Sequence, residues 1–210
     1  MLVEKKNNIN FMPVDLRVEY MTNPIGIDEL LPRFSWKFAQ YVRGQAQTAY
    51  QILVSSQRAY LQKGDYDKWD SGKVSSDKNF NIAYEGKKLE SGKTYFWKVF
   101  IWDKAGNVSP FSSISFFEMG LLDKNDWNGS WIMWKGKGGG ILRKELNINK
   151  RLKKARAYIS GLGYYELRLN GSKVGDRVLD PGMTNYDKKI LYAIHSFYKP
   201  SVSASSRRRG

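Results

Sequence analysis

LESGKTYFWKVFIWDKAGNVSP, residues 89–110, decides what kind of fold this chain adopts. Successive side chains of a strand point to opposite faces, so Tyr95, Trp97, Val99 and Ile101 fall together on one face. Leu89 and Tyr95 flank a turn containing Ser91-Gly92, and Ala105-Gly106-Asn107 forms a second turn before Ser109-Pro110 leads into another strand. A strand bounded by tight turns on both sides, with an aromatic and β-branched face, belongs in an antiparallel sheet.

The same signal recurs on either side. LRVEY, RFSWKF, AYQILVSS, NIAYEG and SISFFEMG each run about five to ten residues, rich in aromatic and β-branched types. Breakers separate them at Asn23-Pro24, Gly44, Asp70-Ser71-Gly72 and Ser91-Gly92. RAYLQKGD at 58–65 has room for one helical turn. Six or seven strands so spaced predict a β-sandwich, and the Leu89–Tyr95 arrangement is similar to the tyrosine corner of immunoglobulin-like sandwiches, in which the phenol hydrogen-bonds back to the entering turn. The pattern resembles a fibronectin type III domain. In it Trp36 is the inward aromatic of an early strand, and Tyr95 and Trp97 line the core.

Domain boundaries follow from shifts in composition. Residues 1–13 precede the first strand pattern, and 14–120 form the fibronectin-like sandwich. The turn-rich stretch 121–140 carries Trp127, Trp131 and Trp134 and ends in a glycine run at 138–140. Strand patterns resume over 141–194 as ILRKELNI, ARAYISGLG, YYELRLN, KVGDRVL and KILYAI. The expected architecture is all-β: a sandwich of immunoglobulin type followed by a partial jelly-roll of the galactose-binding kind. Residues 195–210 are Ser- and Arg-rich, and the expectation is a disordered tail foreign to the preceding domain.

Composition narrows the chemistry. Of 210 residues, 41% are hydrophobic and 14% aromatic, enough for more than one small core. There is no cysteine and a single histidine, His195, so disulfides, thiol catalysis and thiolate metal sites are excluded. No apolar run reaches signal-peptide or membrane-span length, so the chain reads as soluble and without a membrane partner, its compartment left open. The net charge of +15 is uneven. Residues 1–120 hold 16 Lys and Arg against 13 Asp and Glu, and residues 121–210 hold 19 against 7. Charge without a binding motif does not make a nucleic-acid protein, and no nucleic acid is expected as partner.

Candidate catalytic groups fail one by one. Asp65, Asp67 and Asp70 share a loop, and Asp176 and Asp180 bracket a short strand, but neither set has a companion that would split two carboxylate pKa values. His195 has no nucleophile elbow to work with. GKGGG at 136–140 lacks the Lys-Ser/Thr of a phosphate loop, and GLGYYE at 161–166 lacks the third glycine of a dinucleotide fingerprint. Trp127, Trp131 and Trp134 either stack on sugar rings or pack a domain join, and packing is the expectation for all three. Of Tyr164 and Tyr165, one must point outward. Asn170-Gly171 is a hairpin turn by its residue types.

Longer motifs carry a family likeness. DWNGSWI at 126–132, ILRKELNI, and ARAYISGLGYYELRLNGSKVGDRVLDPGMTNYDKKILY at 155–192 resemble the amino-terminal region of bacterial α-L-rhamnosidases. LRVEYMTNPIGID, RFSWKF, AYQILVSS, WDSGKV and LESGKTYFWKVFIWDKAGNVSPFS resemble the fibronectin-like domain that opens the same enzymes. The resemblance implies a multidomain glycoside hydrolase that removes terminal α-linked L-rhamnose by inversion with two carboxylates. It places those carboxylates in a helical barrel downstream, so no catalytic residue is expected in this chain.

The resemblance also implies a substrate-recognition role, with rhamnose-containing carbohydrate as partner. Any sugar contact is placed at Asn170, Asp176, Asp180, Asn185 and Tyr186, but the structural reading of these positions is the stronger one: Asn170-Gly171 and Asp180-Pro181-Gly182 are turns by residue type. No cofactor is called for, with calcium at a sugar site left open. The competing reading is a non-catalytic adhesion or interaction module. The departure from the family pattern after LYAI gives the expectation of a truncated or frameshifted gene product, whose second domain would leave sheet edges uncovered.

Overall fold

The computed structural model describes residues 11–39, 43–149, 152 and 154–197, and the described chain separates into one compact unit ending at Gly129 and a second beginning at Ser130. The amino-terminal residues 1–10 and the tail from 198 onward lie outside the described residues.

The first unit contains strands β1 (Pro13–Val18), β2 (Ile25–Ile27), β3 (Arg33–Phe38) and β4 (Gln47–Ser55), helix α1 (Arg58–Lys63), then β5 (Trp69–Asp70), β6 (Val74–Ser75), β7 (Ile82–Ala83), β8 (Thr94–Asp103) and β9 (Ser115–Met119). They form two sheets. One has the order β1-β3-β7; the other runs β2-β9-β8-β4-β5, with β6 also on β4. β8 pairs antiparallel with β4 from Ser55↔Phe96 to Gln47↔Asp103 and with β9 from Thr94↔Glu118 to Trp97↔Ser115.

Alternation along β8 explains why two sheets are needed. Tyr95, Trp97, Val99 and Ile101 are each at most 1% exposed, and burying side chains of this size contributes about 1.5–3 kcal/mol apiece. They meet Phe34 and Trp36 of β3, Tyr50, Ile52 and Val54 of β4, and Phe117 and Met119 of β9 in one continuous core. Phe34 is at its centre, edge-on to Trp97 at 4.7 Å and to Phe117 at 5.7 Å between ring centroids. Trp36 is buried and donates its indole N–H to Gln47 Oε1 at 3.1 Å.

The turns at each end of β8 are held by side chains. The backbone N–H of Glu90 donates to Tyr95 Oη at 2.9 Å, the hydrogen bond of a tyrosine corner. At the far end Asp103 Oδ1 accepts from the N–H groups of Ala105 and Asn107 at 2.9 and 2.8 Å, closing the Gly106 turn. On the outer face, Leu61 of α1 is fully buried and Lys98 of β8 reaches the helix, donating to the Leu61 carbonyl at 2.7 Å with its ammonium 3.8 Å from the Phe111 ring centroid. Burial pushes the Lys98 ammonium pKa down.

The second unit contains β10 (Ala155–Ser160), β11 (Arg168–Leu169), β12 (Ser172–Lys173) and β13 (Tyr192–Phe197). β10 and β13 pair antiparallel through six residues each, from Ala155↔Phe197 to Ser160↔Tyr192. β11 and β12 make a hairpin whose two loop residues, Asn170 and Gly171, have φ of 50° and 84°. Positive φ at both loop residues is what a type I′ turn requires, and Asn-Gly meets it with little strain.

Two expectations are corrected here. ILRKELNI at 141–148 forms no ladder among the described residues, and Ile141, Leu146 and Ile148 stay exposed: an alternating pattern becomes a strand only when an edge is there to pair with. The boundary placed before His195 falls inside β13, because His195 through Phe197 complete the pairing with β10. Trp127, Trp131 and Trp134 are 37%, 66% and 50% exposed.

Two outcomes follow. Tyr95→Phe leaves the Glu90 N–H without its partner and lowers the unfolding free energy by about 1–2 kcal/mol, read from the urea midpoint; an unchanged midpoint contradicts the corner. Limited proteolysis cuts first within 130–149, exposed and without regular structure, and leaves a resistant fragment ending near Gly129. Uniform resistance through 197 speaks against that division.

Candidate functional site

The second unit concentrates its buried polar groups where GLGYYE and DPGM meet. Tyr165 bridges to Asp180, donating its backbone N–H to the Asp180 carbonyl at 2.9 Å. That pairing turns the Tyr165 ring inward while its neighbour Tyr164 is 53% exposed, as strand geometry demands of adjacent residues. The Tyr165 hydroxyl lies 2.9 Å from His195 Nε2, and the two rings meet edge-on at 6.0 Å.

His195 is 7% exposed in the middle of β13, opposite Ala157 of β10. Burial depresses its pKa, partly offset by the nearby Asp180 carboxylate, so the imidazole is neutral at pH 7. Burial pushes the Tyr165 phenol up to about 12, with Asp180 adding to the rise. Both groups are therefore uncharged hydrogen-bonding partners. Asp180 Oδ2 is buried and makes no hydrogen bond; Arg177 NH1 is 3.7 Å away, an ion pair too long for one. A buried carboxylate oxygen with spare acceptor capacity is costly unless something donates to it.

The five expected sugar-contact residues divide. Asp180 belongs to this buried cluster. Tyr186 spends its hydroxyl accepting the Gly163 N–H at 3.0 Å, and Asn185 Oδ1 accepts the Asp187 N–H at 3.1 Å while its carbonyl receives Lys188 and Lys189. Those contacts shape the loop. Asn170 and Asp176 are exposed; Asn170 marks the hairpin tip, beneath which Arg168 donates to Glu166 at 2.8 Å and to the Gly171 carbonyl at 3.1 Å. Tyr165, Arg177 and His195 are cluster members that the candidate set omitted. The one histidine in the chain is the available signal.

The acidic loop of the first unit is structural. Asp67 accepts from Ser55 Oγ, Ser56 N and Ser56 Oγ at 2.8, 2.7 and 2.6 Å. Burial alone would raise its pKa, but these donors outweigh it and hold the carboxyl below its ordinary value. Asp70 accepts from Gln51 Nε2 and the Gly72 N–H at 2.7 and 2.8 Å. Among the described residues no three His, Asp or Glu side chains converge as metal ligands, and no helix is long and apolar enough to cross a membrane.

Comparison with known proteins gives this arrangement a context. The family described as "Rha78A-like, N-terminal immunoglobulin domain" matches residues 13–123, and "Alpha-L-rhamnosidase N-terminal domain" matches residues 150–198. The chain belongs to the α-L-rhamnosidases, as their amino-terminal region. An α-L-rhamnosidase of Formosa agariphila is 39% identical over 197 residues, covering 81% of this chain and 21% of that protein. The solved α-L-rhamnosidase of Dictyoglumus thermophilum is 43% identical with a TM-score of 0.84, over 91% of this chain and 24% of that one. A Streptomyces avermitilis α-L-rhamnosidase solved with L-rhamnose gives 26% identity and a TM-score of 0.56, over 89% and 20%. The chain thus spans about a fifth of the length of the rhamnosidases it matches. The match to the N-terminal domain runs to residue 198, past the boundary read before His195.

The sole histidine offers a clean test of the cluster. Its C2 proton should titrate below 6.5, the ordinary histidine value. On acidification the unfolded chain takes up that proton first, so the stabilisation is complete above pH 6.5 and is lost as pH falls through the folded-state pKa. A midpoint at or above 6.5 means the imidazole is not desolvated.

Proposed function

We propose that this chain is the non-catalytic, substrate-recognising amino-terminal part of an enzyme that hydrolyses terminal α-L-rhamnosyl residues. The observation that carries the reading is the order of two matched domains, immunoglobulin-like at 13–123 and rhamnosidase N-terminal at 150–198. Nothing in the described geometry contributes a catalytic pair. An inverting glycosidase needs two carboxyls roughly 6.5–9.5 Å apart across a sugar-sized gap, whereas Asp67 and Asp70 are tied into their own loop and Asp180 is half-buried beside Tyr165 and Arg177.

The sugar contact falls to the Asp180 cluster. A sugar hydroxyl would donate to the part of the Asp180 carboxylate that stays accessible, the side chain being 20% exposed, with Arg177 paired to the buried oxygen and the neutral Tyr165 and His195 nearby. The rhamnose complex of the Streptomyces relative supports rhamnose as the sugar to try first. Of the five residues read from sequence, Asp180 takes the central role; Asn170 and Asp176 lie exposed on neighbouring turns, and Asn185 and Tyr186 build the loop.

The purified chain should release nothing from an aryl α-L-rhamnoside, and calorimetry with L-rhamnose should give heat that Asp180→Ala removes. Turnover by the chain alone overturns the non-catalytic assignment. Absence of heat in a chain with a folded spectrum overturns the sugar contact.

A further inference from the structure

Upstream of β10, WKGKGGG at 134–140 holds a different kind of surface. A Cβ placed on Gly136 would come within 2.5 Å of Trp134 Nε1, and one on Gly140 within 2.3 Å of Trp134 Cγ. Two glycines let the main chain close against the indole. Gly138, with φ of 74°, provides the bend between them. Trp134 nevertheless remains 50% exposed, so its ring is seated on backbone and still offers area to solvent.

The charged residues that follow Trp134 in sequence are all basic as far as Lys144. Lys135, Lys137 and Lys144 have no ion-pair partner among the described residues. Glu145, the one acid of residues 130–149, is taken by Arg143. An apolar ring in a basic surround, left bare on a stretch without helix or ladder, complements a ligand that is flat, partly apolar and negatively charged.

We infer that Trp134, seated on Gly136 and Gly140 and followed in sequence by Lys135 and Lys137, is a stacking platform for a pyranose ring bearing a carboxylate, as in an acidic glycan. The C–H face of the sugar covers the indole and the ammonium groups meet its carboxylate. The choice of a glycan rests on reading the chain as part of a rhamnosidase, but the site uses none of the Asp180 cluster. Single-stranded nucleic acid fits less well, because it binds along successive aromatic platforms and only one is seated here. An anionic bilayer calls for an amphipathic helix with its apolar face buried, and 130–149 contains none.

The test is titration of the ¹⁵N-labelled chain, followed at the tryptophan indole N–H resonances, with an oligogalacturonate and with a neutral galacto-oligosaccharide of the same length. The acidic probe should shift the Trp134 resonance and bind at least ~10-fold tighter than the neutral one, an advantage that shrinks as NaCl is raised. Trp134→Ala should abolish binding, and Gly140→Ala, which displaces the ring, should weaken it at least ~10-fold with the folded spectrum retained. Asp180→Ala should bind the acidic probe as the parent does, and Trp134→Ala should keep any heat with L-rhamnose, so the two sites succeed or fail separately. Equal affinity for both glycans, binding that survives Trp134→Ala, or tighter binding to oligo-dT or phosphatidylserine vesicles would overturn the inference.

Discussion

The inner face of β8 is the constraint on which the first unit depends. Tyr95, Trp97, Val99 and Ile101 occupy alternate positions of one strand, and all four are buried. Neither neighbour in the same sheet can cover them, because β4 and β9 present their own apolar residues to the same side. A second layer is therefore obligatory, and β1-β3-β7 supplies it through Phe34 and Trp36. The Glu90–Tyr95 hydrogen bond and the Asp103 turn fix the two ends of this strand. α1, held by Leu61 and Lys98, closes part of the opposite face.

The second unit is organised on other terms. Among the described residues its longest ladder is a two-stranded pair, and two strands alone bury too little to be stable in water. What keeps residues inside there is polar as well as apolar: Ala193 and Ile194 are buried beside His195, which meets Tyr165. Leu162, Val178, Leu179 and Met183 remain exposed on the loops between strands. A unit with such loops can present groups to a ligand at small structural cost, which agrees with a recognition role.

How far the sequence could be read followed the kind of constraint involved. Alternation located β3, β4, β8 and β9 almost to the residue, because each has an inner face that must be buried. It overreached at ILRKELNI, where the same alternation has no partner strand among the described residues. The Asn170-Gly171 turn was legible from residue type, since positive φ at two positions admits few alternatives. The buried cluster was not. Tyr165, Arg177, Asp180 and His195 are brought together by the bridge at Asp180 and the register of β10 with β13, and no local spacing announces either. The platform at Trp134 was hidden for a similar reason: that indole is kept in place by glycine backbone, which leaves no side-chain signature.

The central claim is that a self-sufficient sandwich built on β8 accompanies a second unit of much lower local stability. Native-state hydrogen exchange measures this directly, amide by amide. The account predicts that the amides of Val99 and Ile101 in β8 exchange only through global unfolding of their unit, whereas those of β10 and β13 exchange through openings of far smaller free energy. Equal protection of β8 and the β10–β13 pair, lost together in a single transition, would contradict it.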